Sequence, residues 1–178
     1  MNDLNEQFSH IYDQYIEKIY RFVYLKVNSQ ETAEDITSKV FLKGWEAYKT
    51  KFEIRNLKFE KNLEIQNVGA FLYRIAQNAV IDHYREKGRT KVVSTEVSPQ
   101  IAQTGKDLQE KAIIAADFAV VKTAIKNLKH DYQDIIIFHY IEDMTVPEIA
   151  KTMNKPAGTI RVMLHRGLKD LKKIIEEA

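Results

Sequence analysis

Apolar residues recur at steps of three and four along most of this chain, and few residues interrupt the pattern. Phe8, Ile11, Tyr12, Tyr15, Ile16, Ile19, Phe22 and Val23 fall on one side of a helix; Ala33, Ile36, Val40, Phe41, Trp45 and Tyr48 fall on one side of a second. Leu72, Ile75, Ala76 and Ala79 do the same for a third. Only 6 Gly and 3 Pro stand among the 178 residues, so helix breakers are scarce and the expected class is all-α. Domains usually need roughly 50 to 200 residues to enclose a core, and two small helical domains fit this length.

The pattern divides the chain. A first helix ends near Asn28, where Asn28 and Glu31 stand at the spacing of a capping box that opens the second helix. Residues 49–67 mix charges with Phe52, Ile54, Leu57, Phe59, Leu63 and Ile65, which is too apolar for a solvent loop. A partly packed loop is expected there, and its role is open. Helical spacing returns over 68–87, with Gly88 as the stop. The stretch RTKVVSTEVSPQIAQTGK, residues 89–106, offers no consistent face to bury and reads as a flexible linker. The expected organisation is a first domain over 1–88, a linker over 89–107 and a second domain over 108–178. Helices are expected in the second at about 108–128, 131–140, 146–153 and 159–175.

Composition narrows the chemistry. Without Cys there is no disulfide framework, thiolate metal site or cysteine nucleophile. The start MNDLNEQFSH lacks a basic segment followed by an apolar run, and no stretch approaches the roughly 20 apolar residues that cross a bilayer. A cytoplasmic location is expected. His10, His83, His130, His139 and His165 form no metal-ligand spacing with carboxylates, and no glycine-rich phosphate loop occurs. Neither a cofactor nor an enzymatic activity is expected. Asp82-His83 is the one pair from which a metal-dependent helical hydrolase can be argued, but His83 falls in an apolar stripe and reads as packing.

A net charge of +2 is too small to argue for nucleic acid, but its distribution is uneven. Over residues 155–173, Lys155, Arg161, Arg166, Lys169, Lys172 and Lys173 stand against one acid, Asp170. The segment TVPEIAKTMNKPAGTIRVMLHRGLKDLKK reads as a short helix capped by Thr145, a turn at 154–158, and a longer helix from about Thr159. On that helix Ile160, Leu164, Gly167, Leu171 and Ile174 share one side. Arg161, Val162, His165, Arg166, Lys169, Lys172 and Lys173 share the other. A solvated Lys-rich helix accounts for the charge alone; the short helix and turn before it make a helix-turn-helix, whose second helix enters the major groove.

Glu148-Ile149-Ala150, Pro156-Ala157-Gly158-Thr159-Ile160 and Leu164-His165-Arg166 closely resemble region four of the extracytoplasmic-function (ECF) sigma factors. Ala33-Glu34-Asp35-Ile36, Val40-Phe41-Leu42-Lys43 with Trp45, and Ala70-Phe71-Leu72-Tyr73-Arg74-Ile75-Ala76 with Asn78, Asp82 and Arg85 look like region two. Family members often carry Gln then Glu where Ser38 and Lys39 stand, and a polar or basic pair where Val162 and Met163 stand. The resemblance implies a region-two domain that binds core RNA polymerase and the −10 element, and a region-four domain that binds the −35 element. It implies promoter DNA as a partner, assistance in opening it, and room for an anti-sigma factor.

On this reading Thr159, Arg161, Val162, His165, Arg166 and Lys169 contact the −35 element. Tyr73, Arg74, Asn78 and Arg85 serve the −10 element and melting, with Tyr73 stacking on an unpaired base. Ile81 lies in the same stripe, Gln77 and Asp82 at its edges. Asp35, Ser38, Lys39, Leu42 and Glu46 form the polymerase face, on which Leu42 is the apolar exception. The plainer readings are a core Tyr73, an Asp82 paired with Arg85, and a scattered surface Leu42. The alternative function is a helix-turn-helix regulator with an N-terminal sensing or dimerisation domain.

Overall fold

A computed structural model describes the backbone of residues 2–58, 67–89 and 106–177, and the side chains within 4–51, 67–88 and 115–177. Seven helices and no strand occur among the described residues: α1 (Asn2–Lys26), α2 (Gln30–Lys58), α3 (Val68–Arg89), α4 (Lys106–Lys126), α5 (His130–Tyr140), α6 (Val146–Met153) and α7 (Ala157–Glu176). The all-α class expected from the periodicity is the class observed.

Helices α1, α2 and α3 pack on one another through the faces that the periodicity marked. Ile19, Phe22, Val23, Ala33, Ile36, Val40, Phe41, Leu72 and Ala76 are buried, while Phe8 meets Trp45 edge-on. Each large side chain so buried contributes roughly 1.5–3 kcal/mol. A Cβ on Gly44 of α2 would come within 2.9 Å of Leu72 Cδ2, so glycine lets α2 and α3 approach closely.

Several limits differ from those expected. The cap of α2 is Ser29 rather than Asn28: Ser29 Oγ accepts the Thr32 N–H at 3.2 Å. The partly packed loop over 49–67 is instead helix as far as Lys58, and 59–66 lie outside the described residues. Gly88 does not stop α3, which runs through it to Arg89. Of the expected linker, residues 90–105 lie outside the described residues.

Helix α5 organises the C-terminal half. Gln133, Asp134, Ile135, Ile136, Ile137 and Phe138 are consecutive and all buried, so this helix is covered all round. On one side α7 packs against it at Gly167, where a Cβ would lie 3.4 Å from Tyr132 Cβ and 3.5 Å from Ile136 Cγ1. On the other side stand side chains of α1 and α3, with Phe22 stacked on Phe138 at 5.2 Å and Tyr73 edge-on to it at 4.9 Å. The two halves therefore share one apolar core.

Candidate nucleic-acid and polymerase interface

Helices α6 and α7 form the expected helix-turn-helix. Pro147 is tolerated in the first turn of α6 because an N–H there has no intrahelical acceptor. Thr145 caps that turn: its backbone N–H donates to Glu148 Oε2 at 2.8 Å and its hydroxyl at 2.6 Å. These two hydrogen bonds hold the Glu148 carboxyl below its ordinary range. Asn154 ends α6 in the left-handed region at φ 51°, and Pro156 opens α7.

On α7, Ile160, Leu164 and Gly167 are buried, while Thr159, Arg161, Val162, His165, Arg166 and Lys169 are exposed. Lys172 and Lys173 share the exposed side and meet Glu176 and Glu177 at 3.6 and 3.8 Å. All six residues assigned to the −35 element thus stand on one open, cationic face. Such a face supplies phosphate contacts along its length and base contacts at its N-terminal end.

The stripe on α3 is divided. Arg74, Asn78 and Arg85 are exposed, and Arg85 lies 3.7 Å from Asp82, the local pairing that the sequence allowed. Tyr73 is not on the surface. At 3% exposure it packs between Phe22 and Phe138, and its hydroxyl lies 3.4 Å from Glu142 Oε2. Burial and the Glu142 carboxylate push its phenol well above the ordinary value. In this arrangement Tyr73 offers no face to a base, and the expectation of an open stacking platform is corrected accordingly. Gln77 likewise turns to Asp134 of α5 at 2.9 Å.

On α2, Asp35, Ser38, Lys39, Leu42 and Glu46 are all exposed, Leu42 at 59%. Lys39 pairs with Asp35 at 2.7 Å, which raises the Lys39 ammonium pKa. His83 is half-buried beside Tyr84, and burial lowers its pKa. Asp82 lies beside Arg85 rather than against His83, and no group of three metal-ligating side chains occurs among the described residues.

Sequence reading missed a polar network between the halves. Lys26 of α1 donates to Asp134 Oδ1, and the Gln77 amide donates to Asp134 Oδ2. Arg21 forks onto Glu142, Nε to Oε1 at 2.7 Å and Nη2 to Oε2 at 3.0 Å. Burial outweighs the Lys26 charge and pushes the Asp134 carboxyl up, while Glu142 raises the Arg21 pKa. The available signal was an acid directly before the apolar run Ile135-Ile136-Ile137-Phe138, and a lysine between Leu25 and Val27.

Comparison with known proteins bears on this geometry. The "Sigma-70 region 2" family model matches residues 11–90, and "Sigma-70, region 4" matches 119–171. The chain belongs to the ECF branch of the sigma-70 family. It is 29% identical over 181 residues to the ECF RNA polymerase sigma factor SigW of Bacillus subtilis, spanning 97% of this chain and 90% of that one. Against the ECF sigma factor BldN of Streptomyces coelicolor it is 26% identical over 172 residues, 97% of this chain but 61% of that longer protein. The fold matches the sigma factor RpoE of Bartonella quintana, solved in complex with the anti-sigma factor NepR, at TM-score 0.64, 21% identity and coverage of 96% and 98%. As a sigma factor this chain directs promoter recognition by RNA polymerase, and a regulator with an unrelated N-terminal sensing domain is not favoured.

Proposed function

We propose that the two DNA elements and the polymerase are divided among three faces of this sigma factor. The outer face of α7, with Thr159, Arg161, Val162, His165, Arg166 and Lys169, binds the −35 element. Arg74, Asn78 and Arg85 on α3 contact the −10 element and support opening. Asp35, Ser38, Lys39, Leu42 and Glu46 on α2 meet the core polymerase. The observation that carries this reading is the two-sidedness of α7: its apolar side is sealed against α5 while its whole cationic side stands in solvent behind a capped helix and a left-handed turn.

The protein is then a transcription initiation factor rather than an enzyme, and it works in the cytoplasm, where core polymerase meets the genome. The working division is a region-two domain over 1–88, a linker over 89–107 and a region-four domain over 108–178. An anti-sigma factor is a further partner that this reading admits. The decisive experiment is in vitro transcription with purified core polymerase and a genomic promoter library. Discrete start sites dependent on the protein are expected, and no binding to core polymerase would defeat the reading. Leu42→Asp is expected to stay folded, yet lose core binding because a charge is desolvated in the interface. Normal core binding by the folded variant would remove α2 from it.

A further inference from the structure

The outer face of α7 has an apolar residue at its centre. Thr159, Arg161, His165, Arg166 and Lys169 on that face all end in polar or charged groups, whereas Val162 is 49% exposed and has no hydrogen-bonding side chain. At about 100° per residue, Val162 lies two positions from both Ile160 and Leu164 and so points away from the side that they bury. The other exposed apolar residues of α7 are placed differently. Leu168 and Ile175 follow Leu164 and Leu171 by four positions, so they border the buried side and leave Val162 alone among polar neighbours.

A lone surface valine is ordinary. Its neighbour one turn earlier is less so: Gly158 is exposed in the first turn of α7, and a Cβ there would meet nothing within 4 Å. Glycine is a poor helix former, and neither a crowded neighbour nor a left-handed φ requires it at this position. Helical side chains lean toward the N-terminus, so the Val162 isopropyl group leans over the turn that contains Gly158. The missing side chain leaves its methyl groups open at the end of the helix where base edges are met.

Only one base offers an apolar group there. In the major groove guanine presents N7 and O6, adenine N7 and its amine, cytosine its amine, and thymine O4 beside a methyl group. Facing valine, the amine of cytosine or adenine would lose water and gain no hydrogen bond, whereas the thymine methyl gains by leaving water. Valine also has one strongly preferred rotamer in a helix, so little conformational freedom is lost on contact. We propose that Val162, with the clearance left by Gly158, reads the methyl group of one thymine in the −35 element. The basic residues around it position α7 on the duplex, and Val162 adds a preference for one base pair.

The proposal rests on the −35 role of α7, and the test separates the two. The probe is a promoter recovered from the genomic library, in which each thymine of the −35 element, on either strand, is replaced in turn by deoxyuridine. Deoxyuridine pairs as thymine does and keeps O4, but it lacks the methyl group. With holoenzyme formed from core polymerase and the full chain, one such replacement is expected to weaken binding about fourfold, the worth of one buried methyl group. Holoenzyme with Val162→Ala should bind the two DNAs equally. With cytosine in place of that thymine, 5-methylcytosine should recover about the same factor for the parent and nothing for the variant. Each ratio compares two DNAs on one protein, so any loss of folding cancels, and Val162→Ala should melt with the parent because the side chain is exposed. If no replacement matters, or one matters equally in parent and variant, while scrambling the −35 element still weakens binding, the thymine contact is overturned and the −35 reading stands. If scrambling the element changes nothing, the −35 reading falls and the contact falls with it.

Discussion

Helices α3 and α7 are both assigned to DNA, yet they stand in different conditions. On α7 the apolar side is sealed by α5 and every assigned residue is in solvent. Of the residues assigned on α3, Arg74, Asn78 and Arg85 are exposed, while Tyr73, with Gln77 of the same helix, is held by α5 and by Glu142 just beyond it. The difference separates two properties that periodicity merges: a residue's side of its own helix, and what another part of the chain lays over that side. The basic face of α7 stands in solvent, whereas part of the surface of α3 is covered by α5.

The sharpest break in that comparison comes from neighbours on α3. Tyr73→Ala removes a ring packed between Phe22 and Phe138 and is expected to cost about 3–5 kcal/mol. In a chain of this size that lowers the melting temperature by roughly 10 °C. Arg74→Ala, one residue along and exposed, should stay within about 0.5 kcal/mol of the parent. Thermal melts of the two compare them directly, and equal melting temperatures would place Tyr73 outside the core.

On α7 the effect should appear in binding and leave stability alone. Arg161→Ala and Arg166→Ala are expected to weaken binding to a −35 duplex by about 1–3 kcal/mol where a base contact is lost. For a phosphate contact the salt slope should fall by about one instead. Titrations at several salt concentrations, with a melt of each variant, measure both. Val162 and Met163 stand where the family often has polar or basic residues, so the salt-slope outcome is the one expected at Arg161. Unchanged binding in both variants would leave α7 without its role.

The sequence made α7 legible because a helix at the surface has one face set by its own repeat, and Ile160, Leu164 and Gly167 carry that repeat. The limits of α2 and α3 were less legible. Gly88 looked like a stop, but an exposed glycine near a helix end costs only about 1 kcal/mol, and α3 continues through it. Charges scattered over 49–58 interrupt the apolar repeat of the sequence and disguised a helix that runs to Lys58. Tyr73 was misplaced for another reason: its burial depends on Phe138, 65 positions away in the chain. Asp134 is the same lesson in polar form, since only the fold reveals that Lys26 and Gln77 meet it.

A smaller effect tests the exposed part of α3. Asn78→Ala should impair open-complex formation severalfold while initial promoter binding changes little, and a template mismatched around its −10 element should recover much of the loss. The mismatch supplies unpairing energy that the variant no longer offsets, an amount on the scale of the roughly 1–3 kcal/mol attributed to a stacked base. Permanganate footprinting follows the opening separately from binding. Equal losses on duplex and pre-opened templates would assign Asn78 to general affinity.

The smallest effect probes how α7 is held in place. Thr145 closes the first turn of α6, and removing its hydroxyl as Thr145→Ala should cost about 1 kcal/mol at neutral pH. The pH dependence identifies the source. Its hydroxyl and backbone N–H both donate to the Glu148 carboxylate, so that carboxyl titrates below its ordinary range in the folded protein. A carboxylate whose folded value is depressed adds stability above its unfolded value, and the addition is lost as pH falls through the folded one. The gap in stability between parent and Thr145→Ala should therefore be full at neutral pH and narrow as the solution is acidified below the ordinary carboxylate range. Denaturant melts of both proteins across that range measure the gap. Because the cap is exposed and remote from the basic face, −35 binding at neutral pH should be equal in the two proteins well below their melting temperatures. A constant gap across the acid range would show that Thr145 acts through its backbone geometry and not through Glu148.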